Sequence, residues 1–179
     1  MRFDQALYHE EMGRLLRTAR GALTAKRPPV RVYTVAIWTD PAARVSTVSV
    51  DTRANSDARV ATLAAWAREQ HPRLLAAGLP DAPEAVLRLP SRNVNPADFA
   101  LRDLAEVRHR AFGEPLTAGG GAAETSAELW DALEPALERV GLAALQLLGD
   151  LPLDQGAELG VNTRGNWYGR PWAFGAPAA

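Results

Sequence analysis

Apolar side chains recur at three- and four-residue steps through Phe3, Leu7, Met12, Leu15, Leu16, Ala19 and Leu23, with Asp4, Glu10, Glu11, Arg14 and Arg17 mostly between them. That spacing predicts an amphipathic helix, which the pair Pro28-Pro29 ends. The pattern then changes period. Val30 to Thr39 is dense in β-branched and aromatic residues and predicts a strand. Asp40-Pro41-Ala42-Ala43 has turn chemistry, and Arg44 to Val50 alternates, so the two segments form an antiparallel hairpin. The alternation breaks at Ser46-Thr47, where a β-bulge is expected. Tyr33, Val35 and Ile37 fall on one strand face by the period of two, and this face is expected to pack on helices.

Beyond the hairpin, Asn55-Ser56-Asp57 reads as a cap for a helix over 57–77, with Pro72 expected to kink or split it. A short strand is expected over 86–89. Asn95-Pro96 is a cap followed by a first-turn proline, so a helix is expected through Phe99, Leu101, Leu104, Val107 and Ala111. Residues 117–123 contain three consecutive glycines and read as a flexible loop. Thr125-Ser126-Ala127-Glu128 matches a capping box. The helix it opens carries Leu129, Trp130, Leu133, Leu137 and Val140, and Pro135 inside it suggests two abutting helices. A strand is expected over 158–163, a turn at Arg164-Gly165-Asn166, and then an aromatic run from Trp167 to Phe174. The pattern as a whole predicts one α+β domain over 1–179, with an antiparallel sheet centred on the hairpin 30–50 and packed against several helices.

Composition narrows the class. No stretch approaches the roughly 18 uninterrupted apolar residues of a membrane-spanning helix. The opening Met1-Arg2-Phe3-Asp4 is not the start of a secretory signal, and there is no cysteine, so a cytoplasmic location without membrane partner is expected. Lys26 is the sole lysine, and the arginine bias reads as the imprint of a GC-rich genome. The net charge of −1 conceals a split. Residues 1–112 hold 17 basic and 12 acidic side chains (+5), and residues 113–179 hold 3 basic and 9 acidic (−6).

Local reaction chemistry is sparse. His9, His71 and His109 have no histidine or carboxylate at a metal-ligand spacing; the cluster His9-Glu10-Glu11 points to different helix faces and reads as surface. No nucleophile elbow, zinc-binding pair or phosphate-binding loop is present. Asp40 and Asp51 bracket the hairpin with Arg53 nearby, and two carboxylates can serve acid–base catalysis only if they converge. No catalytic residue, metal ligand or cofactor site is assigned.

Two contact surfaces stand out instead. At 100° per residue, Glu124, Glu128, Asp131 and Glu138 fall within an arc of roughly 80°, opposite Leu129, Leu133, Leu137 and Val140. This acidic stripe suits a basic protein partner. The second surface is the C-terminal segment, where Arg164, Trp167, Tyr168, Arg170 and Trp172 combine the residue types that dominate interface hot spots. Nucleic acid is disfavoured as a partner, because this half of the chain is acidic.

The segment Tyr33-Thr34-Val35-Ala36-Ile37-Trp38-Thr39-Asp40, followed by Ser46 to Val50 and by Asn55-Ser56-Asp57, resembles a family of uncharacterised bacterial α+β domains associated with immunity to polymorphic toxins. The resemblance implies a non-catalytic domain that binds and neutralises a toxin; it carries over no functional residue. The sequence therefore raises two expectations. The first is a cytoplasmic protein-interaction domain, in its specific form an immunity-type inhibitor. The second is a small enzyme or ligand-binding domain with its site between the hairpin and the C-terminal aromatic segment.

Overall fold

The structure, a computed structural model, describes residues 3–78, 90–113 and 127–175. The element order is α1 (Gln5–Thr24), β1 (Val32–Asp40), β2 (Val45–Asp51), α2 (Arg53–Ala76), a single 3-10 turn at Pro96–Asp98, β3 (Leu101–Arg108), α3 (Ala127–Leu148), β4 (Leu153–Thr163) and β5 (Asn166–Ala173). The five strands form one sheet in the order β3-β2-β1-β4-β5. The α+β class follows directly. The sheet is mixed, however: β1 pairs antiparallel with β2 but parallel with β4, so the expected antiparallel sheet is corrected at its centre. Parallel pairing needs a long crossover, and here everything from β2 to α3 lies between the two strands.

The apolar stripe of α1 is buried as its period demands, with Tyr8, Met12, Leu15, Leu16, Ala19 and Leu23 inward. Asp4 caps the helix by accepting from the Leu7 amide at 3.0 Å. α3 buries Leu129, Leu133, Leu137 and Val140 and runs unbroken through Pro135. α2 likewise continues through Pro72 and begins at Arg53, with Thr52 rather than Asn55 as its cap. The split expected at each proline does not occur. A proline removes one backbone bond, and the remaining turns hold the helix together. The capping box loses its first two residues to the undescribed segment, as do the glycine loop at 117–123 and the short strand at 86–89 in their entirety.

α1 and α3 cover one face of the sheet, and Val35, Ile37, Val48, Val50, Leu159 and Val161 pack against them. Tyr33 does not share that face. Val32 joins the core and Tyr33 lies on the opposite side, at the point where the pairing of β1 with β4 changes register between Val32 and Thr34. There its ring lies under two guanidiniums, Arg53 at 4.1 Å and Arg92 at 4.4 Å from the centroid. The second face carries Ala36, which packs with Phe99 and Tyr168.

The expected helix over 95–111 is a 3-10 turn followed by strand β3. The cause is a bulge. Val50 pairs with Leu101 and Val48 with Ala105, so two strand residues face four, and Asp103 sits at φ +45° within the insertion. The positions packed on the core therefore become 101, 104, 105 and 107, of which 101, 104 and 107 follow one another at helical steps. At Ser46-Thr47 the reverse holds: β1 and β2 pair without a shift, and the alternation breaks because a polar side chain, Ser46, occupies an inward position.

Candidate functional site

Ser46 belongs to a buried chain of five polar side chains. Tyr8 Oη lies 2.9 Å from Thr39 Oγ1, Thr39 Oγ1 lies 2.6 Å from Ser46 Oγ, and Ser46 Oγ lies 2.7 Å from His109 Nε2. His109 Nδ1 is 2.9 Å from Glu11 Oε2. The Arg110 amide donates to Glu11 at 3.2 Å. Burial pushes the Glu11 carboxyl upward, but the His109 bond and the backbone donors outweigh it and hold it below its ordinary range. Burial lowers the His109 pKa despite the neighbouring carboxylate, so the imidazole is neutral. An ionised Glu11 can only accept, which makes Nδ1 the donor and Nε2 the acceptor. The hydroxyl protons are then fixed in turn: Tyr8 donates to Thr39, Thr39 to Ser46, and Ser46 to His109.

The Ser46–His109–Glu11 segment has the order and spacing of a hydrolytic triad. Its position rules that role out in this conformation. Ser46 is fully buried, His109 and Glu11 are nearly so, and the serine oxygen already accepts from Thr39. A nucleophile must reach its substrate, and this one is sealed between α1 and the sheet. The chain is a tie between α1, β1, β2 and the end of β3. His109, which showed no partner in the local sequence, finds its carboxylate 98 positions away.

The carboxylates that bracket the hairpin do not converge. Asp51 pairs with Thr34 and Asp40 lies at the far end of β1, six residues or roughly 20 Å along the strand. Asp51 is fully buried and accepts from the Thr52 and Ala100 amides and from the amide groups of Asn55 and Asn93. It joins β2, α2 and the segment before β3. Asp40 Oδ1 accepts from the Ala42 and Ala43 amides at 2.8 and 2.9 Å and shapes the hairpin turn. Arg53 is committed to Tyr33 and to Asp154 at 3.3 Å. Among the described residues no group of three or more His, Asp or Glu side chains could hold a metal ion.

The exposed chemistry lies at the other end of β1. Trp167, at the start of β5, is 64% exposed and stacks on Trp38 with centroids 5.8 Å apart and planes 6° from parallel. Beside the pair is an open concavity of about 260 Å³, walled by Trp38, Asp40, Pro41, Trp130, Asn162 and the β4–β5 turn Arg164–Trp167. It sits between the hairpin turn and the C-terminal aromatic segment. Asn162 is held rigidly there, accepting from the Thr39 amide and donating to the Thr39 carbonyl, both at 2.9 Å.

The acidic stripe of α3 adjoins this region. Glu128, Asp131 and Glu138 are exposed, whereas Glu124 lies outside the described residues. Glu138 accepts from Arg170 at 2.6 Å, Glu134 is 3.6 Å from the same guanidinium, and the Arg164 amide donates to Glu134 at 3.2 Å. The two surfaces are thus one, stitched along the α3–β5 seam. Not every aromatic belongs to it. Tyr168 is buried with its ring over Gly160, and Trp172 packs against Gly141 in α3, so both serve the fold. Trp38, Asp40 and Trp130 complete the region, and none of them stood out in the sequence as a contact residue.

No protein-family model matches the chain, and neither curated proteins nor solved structures provide a significant match to it.

Proposed function

We propose that this chain is a non-catalytic protein-interaction domain whose contact surface combines the acidic face of α3 with the Trp38–Trp167 platform. The observation that carries the reading is Trp167: a large aromatic, mostly exposed and prealigned by stacking on Trp38, on the strand whose Arg170 pairs with Glu138 of α3. Tryptophan is among the residue types most enriched at interface hot spots, and a rigid one loses little conformational freedom on binding. The buried Ser46–His109–Glu11 side chains are out of reach of a substrate, which supports the non-catalytic reading. No described helix is long and apolar enough to cross a membrane. The proposal places the protein in the cytoplasm, in line with a chain that lacks cysteine.

In its specific form the partner is a toxin and binding neutralises it, as the resemblance at Tyr33–Asp40 implies. The experiment is capture from the native host with wild-type protein, followed by binding kinetics with Trp167→Ala and with Trp66→Ala on the exposed face of α2 as a control. Binding should weaken at least tenfold with Trp167→Ala, the scale of a hot-spot truncation, and stay unchanged with Trp66→Ala. Equal binding by all three proteins refutes the surface. Co-production of the captured partner should arrest growth, and this chain should restore it.

A second reading rests on the concavity itself, which a small ligand could occupy without any protein partner. Its volume is below the range of about 300–1,000 Å³ usual for small-molecule sites, so the interaction reading is preferred.

A further inference from the structure

We propose that the concavity between the hairpin turn and the β4–β5 turn receives one arginine side chain presented by the partner, a basic protein segment. The inference rests on the interaction reading and names the chemistry recognised at its centre. At about 260 Å³ the space suits a single long side chain. Its walls include three indoles, from Trp38, Trp130 and Trp167. Indole faces are the strongest side-chain attractors of a cation, and a planar guanidinium also stacks on them.

Asp40 supplies the matching charge. Its Oδ1 is occupied by the two turn amides, while among the described residues Oδ2 has no hydrogen-bond partner. That leaves one carboxylate oxygen to accept from an incoming N–H donor. Of the charged residues that line the space, Asp40 stands opposite Arg164, whose backbone amide is bonded to Glu134 at 3.2 Å. An anionic group would meet the Asp40 carboxylate and the electron-rich indole faces, and an apolar one would leave the Asp40 oxygen without a donor. Lysine fits the charge but lacks the planar face that stacks on indole.

The test uses the intact chain labelled with 15N and follows the five tryptophan indole N–H signals. The probes are the peptides Gly-Arg-Gly, Gly-Lys-Gly and Gly-citrulline-Gly at millimolar concentration. Citrulline keeps the shape of arginine without its charge. The arginine peptide should shift the Trp38, Trp130 and Trp167 signals saturably and leave Trp66 and Trp172 in place. The lysine peptide should bind more weakly, and the citrulline peptide should not saturate. Asp40→Asn retains Oδ1 for the turn, so the protein should fold normally while arginine affinity falls at least about threefold, the scale of one partly exposed charge contact. Three results overturn the proposal: no saturable response to arginine, an equal response to citrulline, or unchanged affinity in Asp40→Asn. If partner binding depends on Trp167 while arginine leaves the indoles unmoved, the arginine assignment fails and the interaction reading stands. If the indoles respond to arginine but partner binding ignores Trp167, the pocket stands and the proposed interface fails.

Discussion

Ser46 Oγ donates to His109 Nε2 across 2.7 Å, and that bond passes the tautomer set by Glu11 on to the Thr39 and Tyr8 hydroxyls. Protonating His109 would turn Nε2 into a donor and force the three hydroxyls to reverse. Tyr8 Oη would then accept from Thr39 and have to place its own proton elsewhere in a fully buried site. The network thus ties α1 to the sheet only while the imidazole is neutral and Glu11 is ionised.

Stability should therefore fall on acidification in two stages. The folded His109 has a pKa below its ordinary 6.5, so from about pH 6.5 downward the unfolded chain takes up a proton that the fold refuses. The depressed Glu11 carboxyl contributes fully above its ordinary 4.5, and that contribution is lost as pH falls through its lower folded value. Both groups act in the same direction. Urea midpoints should drop between pH 7.5 and 5.5 in the wild type, and His109→Gln should remove most of that drop. A wild-type midpoint that is flat over this window would show that His109 titrates normally. Ser46→Ala strands the buried Nε2 acceptor and should cost about 1–3 kcal/mol at neutral pH.

Tyr168 offers a test in the opposite direction. Its hydroxyl is buried without a hydrogen-bond partner among the described residues, and burial and the nearby Glu158 push its pKa up. Tyr168→Phe keeps the ring over Gly160 and deletes the orphaned group, so stability should be unchanged or rise by up to about 1 kcal/mol. Gly160→Ala is the counterpart. A Cβ there would lie 2.4 Å from the Tyr168 ring, and thermal melts should show a loss of about 1–3 kcal/mol. The double variant Gly160→Ala/Tyr168→Ala should show less than the sum of the two single losses, because the clash disappears with the ring.

Ile37 tests the placement of the core. It is fully buried on the face covered by α1 and α3, beside Val48 and Val161 across the strands. Ile37→Ala should cost about 2–5 kcal/mol in chemical denaturation. A loss under half a kcal/mol would show the strand to be peripheral.

What the sequence reveals depends on how local its cause is. α1 and the hairpin were legible because nothing disturbs their periods: the apolar stripe from Leu7 to Leu23 and the run Val32–Thr39 each match one template. β3 was misread because the bulge around Asp103 re-spaces its inward residues at helical intervals. Tyr33 departs from the face of Val35 and Ile37 where β1 begins and its pairing with β4 is irregular, which the period of two does not reveal. The parallel pairing of β1 with β4 leaves no local trace, nor does the meeting of His109 with Glu11. At the surface, the aromatic density around Trp167 and the acidic period of α3 were visible. Their union through Arg170 was not, because it depends on β5 lying against α3.

Arg170 itself combines a favourable contact with an unfavourable backbone. It bonds Glu138 while holding φ at +45°, a left-handed conformation that costs a residue with a Cβ roughly 1–2 kcal/mol. Both partners of the ion pair are partly exposed, so the pair should contribute no more than about 1 kcal/mol, and added salt should reduce that further. The two effects can be separated by substitution. Arg170→Ala loses the pair and keeps the strained backbone. Arg170→Gly loses the same pair but relaxes the strain, so it should be more stable than Arg170→Ala by about 0.5–1 kcal/mol. Thermal melts of wild type, Arg170→Ala, Arg170→Gly and Glu138→Ala at low and high salt provide the comparison. If Arg170→Gly proves the less stable of the two, the left-handed geometry carries no strain, and the ion pair alone accounts for arginine at this position. In either case Trp167 and Trp38 should remain stacked, since their contact does not involve Arg170. Partner binding that falls with Glu138→Ala and Arg170→Ala alike would then reflect the loss of the seam between α3 and β5, and not the loss of the aromatic platform.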